Sequence, residues 1–125
     1  MSTKQRILIA DDDANIAELV ALYLTKEGYD TQKARDGREA IDMVKRYGEE
    51  YYDFVLMDIR MPVMDGYEAT KYIRGFCSKR HIPIIALSAN AFEEDRAKSI
   101  KVGMDDHVAK PIEIDKLKKT LARFI

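Results

Sequence analysis

Five times along this chain a short apolar run is followed by an amphipathic stretch, and that alternation restricts the fold more than any other feature. The runs at Ile7–Ala10, Asp53–Met57 and Ile82–Leu87, the last with Pro83 near its start, read as strands and are continuously apolar from Ile7, Phe54 and Ile84. Strands covered on both faces show that pattern, whereas a half-exposed strand alternates. Tyr29–Ala34 is more polar and is placed toward a sheet edge, and His107–Ala109 is a short fifth strand. Between them, residues recur at the three-to-four spacing of helices. The first set is Ile16, Leu19, Val20, Tyr23 and Leu24, with Asp13 as N-cap and Gly28 as stop. The second is Ala40, Ile41, Val44 and Tyr47, after the Asp36-Gly37 turn signal. The third is Ala69, Tyr72 and Ile73, capped by Asp65 and ended by Gly75. A strongly charged fourth helix spans Phe92 to Val102 and stops at Gly103, and a fifth carries Ile114, Leu117, Leu121 and Phe124, with Pro111 in its first turn. Strand–helix alternation of this kind implies a parallel sheet with right-handed crossovers and helices on both faces, a doubly wound α/β domain.

The 125 residues suit one domain, read as residues 1–125 without an additional effector domain. Lys+Arg 21 against Asp+Glu 22 leaves a net charge of −1, so no basic excess or recognition helix points to direct nucleic-acid binding. No segment approaches the roughly 18 apolar residues of a membrane span, and the N-terminus lacks the pattern of a signal peptide. Cys77 is the only cysteine, which excludes an intrachain disulfide, fits a reducing cytoplasm and reads as a packing or loop residue.

In open α/β sheets the functional site lies beyond the carboxyl ends of the strands. The residues there are Asp11 and Asp12 after the first run, Asp58 after the third, Ser88 after the fourth and Lys110 after the fifth. Taken singly, each has an ordinary reading: turn chemistry for the acids, a cap for the serine, little for Lys-Pro. Parallel strands bring all five to one rim. Three adjacent carboxylates repel one another, and a hard divalent cation with oxygen ligands relieves this. Mg²⁺ is expected, with Mn²⁺ as the alternative. An ammonium group and a hydroxyl beside the metal complete a site for a tetrahedral dianion, and phosphoryl transfer needs mainly positioning and charge neutralisation. Asp58, alone at the end of a central strand, is the best-placed nucleophile.

The segments Ile7 to Asp13, Val55 to Gly66, Pro83 to Ala89 and Gly103 to Pro111 resemble the receiver domains of response regulators in two-component systems, over essentially the whole chain. The resemblance implies a flavodoxin-like (βα)5 fold with strand order 2-1-3-4-5. It implies that Asp58 accepts the phosphoryl group, and that Asp12, Asp58 and the backbone carbonyl of Arg60 bind the metal with Asp11 acting mostly through water. It further assigns Lys110 and Ser88 to the phosphoryl oxygens, aided by the backbone N–H groups of Ile59 and Ala89, and a cis Lys110–Pro111 peptide. Ser88 is expected to couple to His107, where the family commonly has Tyr or Phe, and so to switch a surface made by the fourth helix, fifth strand and fifth helix. The alternative for His107 is a half-exposed edge residue, and His81 has no motif context. Arg60 and Asn90 stand at positions that modulate phosphoryl lifetime in the family.

The implied donor is a sensor histidine kinase or a histidine phosphotransfer protein, acting on a monomer or a phosphorylation-linked dimer with an unspecified output target. The stretch from Met61 to Pro111 looks most like receivers of hybrid sensor kinases. Self-phosphorylation with slow self-hydrolysis is expected rather than turnover of an external substrate. Two other classes compete. One is a binding module that keeps the fold without phosphorylation, against which the intact acidic, hydroxyl and ammonium set argues. The other is a small-molecule phosphatase working through an aspartyl-phosphate. It lacks a second acid two residues after Asp58, where Arg60 stands, and any cap insertion.

Overall fold

The chain is described from a computed structural model, over residues 5–77, 81–89 and 93–124. The elements alternate throughout: β1 (Arg6–Ala10), α1 (Ala14–Lys26), β2 (Asp30–Ala34), α2 (Gly37–Tyr47), β3 (Phe54–Asp58), α3 (Gly66–Phe76), β4 (Ile84–Ser88), α4 (Glu93–Val102), β5 (Asp106–Ala109) and α5 (Ile114–Ala122). All four strand pairings are parallel and the sheet order is β2-β1-β3-β4-β5. The doubly wound α/β fold and its strand order are therefore as the sequence and its resemblance imply.

Period-two side-chain alternation sorts each central strand between two cores. Leu8, Val55, Met57, Ile84 and Ala86 pack with α2, α3 and the end of α4. Ile7, Ile9, Phe54, Leu56, Ile85 and Leu87 pack with α1 and α5. β3 and β4 are buried at every position, which explains their uninterrupted apolar sequences. Full burial of each such Ile or Leu stabilises the fold by about 1.5–3 kcal/mol before entropy is subtracted. β2 lies at one edge and is mostly half-exposed or exposed, as its polar composition indicates.

The caps hold the sheet's upper rim in register. Asp13 accepts hydrogen bonds from the Asn15 and Ile16 N–H groups, Asp36 from Glu39 and Asp65 from Glu68. Gly28 and Gly103 follow α1 and α4 with φ of 96° and 104°. Several expectations need correction. α3 runs through Gly75 to Phe76, because one glycine inside a packed helix costs only about 1 kcal/mol. Pro111 lies outside α5, whose N-cap is Glu113; the chain at Lys110 is held inward by the rim and begins the helix only after the intervening bend. Leu19 and Tyr72 point outward, 56% and 53% exposed, because they lie more than a quarter-turn from the centres of the faces set by Ala17, Val20, Ala21 and Leu24 and by Tyr67, Ala69, Thr70 and Ile73. The expected helix start at Phe92, and Asn90, fall outside the described residues.

At the opposite, lower end of the sheet a polar node ties α3 to β4 and β5. The Arg74 guanidinium donates to the Gly103 carbonyl at 3.0 Å and pairs with Asp105 at 2.9 Å. Asp105 also accepts from the Ile84 N–H at 2.8 Å and lies 2.5 Å from Nε2 of His81.

Candidate functional site

The site follows from strand register. Ala10 of β1 pairs with Met57 of β3, so the next residues, Asp11 and Asp58, emerge side by side. Both are buried, whereas Asp12 is exposed. One carboxylate oxygen from each of the three lies within 4.8 Å of the others. The Asp11 carboxylate is steadied by the Asp13 N–H at 2.9 Å, so the cap of α1 also aims a site residue.

Lys110 reaches this cluster from the far side of the sheet. Its Nζ lies 3.0 Å from Asp11 and 3.2 Å from Asp58. The Lys110–Pro111 peptide is cis, as expected. The Lys110 N–H donates to the Ser88 carbonyl at 2.7 Å, tying the lysine to the end of β4. Ser88 is itself buried, and Ala89 follows it at the exposed rim.

Electrostatics mark Asp58 out. Burial, followed by the nearby Asp11 charge, pushes its carboxyl up to about 7, against the opposing pull of Lys110. For Lys110, burial acts to lower the pKa, but the hydrogen bond to Asp11 and the charges of Asp58 and Asp11 outweigh it and the ammonium is held above its ordinary value. One ammonium group thus faces more carboxylate charge than it can neutralise. That deficit, with three oxygens at one point, fits a divalent cation of the Mg²⁺ type.

Not every expected group faces the cleft equally. The Ile59 N–H donates to the Leu87 carbonyl at 3.0 Å, so it is spent in holding β3 to β4. The Arg60 N–H is the amide beside the carboxylate, 3.4 Å from Asp58 Oδ1. His107 is half-buried and pairs with Ala86, two residue pairs below Ser88 and Ala109. Paired residues project from the same face, so His107 and Ser88 share a sheet face about 6.6 Å apart along the strands.

Two parts of the site have roles that only the tertiary structure reveals. A cavity of about 620 Å³ opens beside Asp12 and Arg60, and its outer wall is Tyr67 and Lys98, with the Lys98 Nζ 4.6 Å from the ring centroid. Tyr67 is buried in α3 and Lys98 exposed on α4, and only the approach of α3 to α4 joins them. Gly66 was legible only as part of a motif. Its N–H donates to the Ile59 carbonyl at 2.9 Å, and it lies directly against the Asp58 backbone.

Comparison with known proteins agrees with this architecture. Residues 7–122 match the model of the response regulator receiver domain. Hybrid signal transduction histidine kinase I of Dictyostelium discoideum is 41% identical over 112 residues, covering 86% of this chain; the chain spans only 6% of that protein's length. Among solved structures, the receiver domain of a Pseudomonas aeruginosa sensor histidine kinase, with magnesium coordinated in its active-site cleft, is 38% identical. It superposes with a TM-score of 0.86 and 98% coverage of both chains. The Vibrio cholerae chemotaxis protein CheY4 is 30% identical with a TM-score of 0.90, covering 98% of this chain and all of the other. Fold, acidic cluster and sequence agree: the chain belongs to the response regulator receiver family and is a receiver domain of the two-component phosphorelay type.

Proposed function

We propose that Asp58 is the phosphoacceptor of this receiver and that residues 1–125 act as one receiver unit. The observation that carries the reading is the convergence of Asp11, Asp12 and Asp58 with Lys110 at the same rim. Asp11, Asp12, Asp58 and the Arg60 carbonyl would hold Mg²⁺, or Mn²⁺ in its place. When bound, that cation supplies neutralising charge for the carboxylates and the incoming phosphoryl oxygens.

The chain's own residues account for the remaining chemistry. An Asp58 carboxylate oxygen forms a bond to phosphorus of a phosphohistidine. The phosphorus–nitrogen bond breaks, and the imidazole leaves with the electron pair and takes up a proton. Lys110 and the Ser88 hydroxyl hold the phosphoryl oxygens, with the Ala89 N–H and the Arg60 N–H beside the Asp58 carboxylate completing the cradle in place of the Ile59 N–H held by Leu87. Self-hydrolysis reverses the attachment: a water oxygen bonds to phosphorus and the bond to Asp58 breaks, returning the carboxylate. The donor is a sensor histidine kinase or a histidine phosphotransfer protein, and the chain works with it in the cytoplasm. The chain turns over no external substrate.

Because Ser88 and His107 share a sheet face, movement of the hydroxyl toward the phosphoryl group frees space for His107 to turn inward. This biases the surface of α4, β5 and α5 between two arrangements. The test is labelling with acetyl phosphate and Mg²⁺, followed by mapping of the modified residue. Modification of Asp58, lost in Asp58→Asn, is expected. Undiminished labelling of that variant removes Asp58 from the role.

A further inference from the structure

The loop between β3 and α3 is fastened at two points. At its base the Gly66 N–H donates to the Ile59 carbonyl at 2.9 Å, which closes the loop around residues 60–65. At its far side the N–H of Gly37, the first residue of α2, donates to the Met64 carbonyl at 3.0 Å. Just before that second fastening the backbone turns sharply: Val63 has φ of 66°, and the Met64 N–H donates to the Pro62 carbonyl at 2.6 Å. Turns of that hand are sparsely populated and persist where the surrounding structure holds them. The Val63 side chain is exposed, so the hold comes through the neighbouring backbone. Helix α2 also approaches this loop closely. A Cβ on Gly37 would lie 2.5 Å from the Met64 carbonyl oxygen, 3.0 Å from that of Asp65 and 3.1 Å from the Ala69 Cβ. Gly37 is buried, and its two nearest neighbours there are backbone atoms, which cannot swing aside as a side chain can. Asp36 accepts from the Glu39 N–H at 2.8 Å and so fixes the first turn of α2, from which the Gly37 N–H is aimed. Arg60 stands on the loop between the two fastenings, with its N–H 3.4 Å from Asp58 Oδ1.

We propose that Gly37 is a positioning residue for the metal: by holding the Met64 carbonyl, it sets where the loop presents the Arg60 carbonyl to a cation at Asp58. The inference rests on the phosphoacceptor reading, which gives that carbonyl to the metal. Gly37 touches neither the cation nor the phosphoryl group and acts through the loop alone. The choice of cation exposes such a role. Mg²⁺ demands near-octahedral ligands at about 2.0–2.1 Å, so a small displacement of one oxygen is costly, whereas Ca²⁺ accepts about 2.3–2.6 Å in a flexible geometry. A misplaced loop therefore weakens Mg²⁺ more than Ca²⁺. A glycine that serves only the packing of α2 against α3 leaves that balance alone.

The experiment is titration calorimetry of the full chain with Mg²⁺ and, separately, with Ca²⁺, at a temperature where circular dichroism shows every variant folded. Loss of a group that orients a metal ligand typically costs about 10–100-fold in affinity. Gly37→Ala is accordingly expected to weaken Mg²⁺ at least about tenfold and Ca²⁺ by no more than about threefold. Val44→Ala hollows the same core further along α2. It is expected to melt at a lower temperature while keeping both affinities within about twofold. If Gly37→Ala does not fold, the Asp36 variants carry the test. Asp36→Ala removes the cap, and is expected to speed hydrogen exchange at the Gly37 amide and to weaken Mg²⁺ more than Ca²⁺. Asp36→Asn keeps a capping side chain and is expected to restore both. Unchanged Mg²⁺ affinity in Gly37→Ala, equal losses for the two cations, an equal loss in Val44→Ala, or Asp36 variants that do not differ overturns the proposal. Absence of Mg²⁺ binding by the unmodified protein defeats the phosphoacceptor reading and this inference with it. Intact Mg²⁺ binding that is indifferent to Gly37→Ala defeats this inference alone.

Discussion

A Cβ placed on Gly66 would lie 2.3 Å from the carbonyl oxygen of Asp58. The first residue of α3 therefore touches the backbone of the proposed phosphoacceptor, and no other amino acid fits without moving one of them. Gly66→Ala is expected to push β3 and the start of α3 apart. Overpacking at a closed site costs about 1–3 kcal/mol. Thermal melting should show that loss, and Asp58 labelling should slow because the carboxylate is displaced. Wild-type labelling with wild-type stability would show that the backbone yields freely here.

The raised pKa of Asp58 gives an unusual pH dependence. Its carboxyl titrates near 7 when folded, against an ordinary value of 3.8. Between those values the folded chain keeps a proton that the unfolded chain has lost. This group's contribution to stability thus falls as pH rises from about 4 to about 7 and stays low above that. The difference in melting temperature, Asp58→Asn minus wild type, is expected to grow across that window in the absence of metal. Mg²⁺ should raise the wild-type melting temperature more at pH 8 than at pH 5, because the cation competes with a proton at the lower pH. A difference that is flat with pH would show that Asp58 ionises at an ordinary value.

Lys110 offsets two buried carboxylates at 3.0 and 3.2 Å. Lys110→Met keeps the length of the side chain but removes its charge. Leaving buried charged groups without their partner costs about 1–3 kcal/mol or more, and this should be largest at pH 8, where Asp58 is ionised. Mg²⁺ binding, followed by calorimetry, should persist and tighten, since a competing positive charge has gone. Phosphoryl labelling should fall sharply. Loss of Mg²⁺ binding together with labelling would instead indicate collapse of the rim.

Val63 has φ of 66° and is 83% exposed in the loop between β3 and α3. An L-residue in this region costs about 1–2 kcal/mol, and a β-branched one gains nothing back from solvent. Glycine adopts the angle freely but loses about 0.5–1 kcal/mol more backbone entropy on folding. Val63→Gly is expected to be neutral to about 1 kcal/mol stabilising in thermal melts, with Asp58 labelling intact. Marked destabilisation would mean that the valine side chain makes a contact worth more than its backbone strain.

Most of the architecture was legible because it rests on local signals. Continuous apolar runs marked the strands buried on both faces, Asp13 and Asp65 marked helix starts, and the residue after each run marked the rim. Helix faces were less legible. Leu19 and Tyr72 fit the helical period, yet a face only three or four positions wide cannot bury every apolar residue near it. Gly75 and Pro111 read as boundary residues, but packing carried α3 past the one and the route from Lys110 delayed α5 beyond the other.

The amino-acid sequence alone determined the strand–helix alternation and which five polar residues stand at strand ends, since both are properties of short stretches of chain. Tertiary structure decided the rest: that Lys110 reaches both Asp11 and Asp58, that the Ile59 N–H is taken by Leu87, and that Gly66 presses on Asp58. Those relationships join residues far apart along the chain. Their distances depend on strand register and on how neighbouring helices seat against the sheet, which no local pattern encodes.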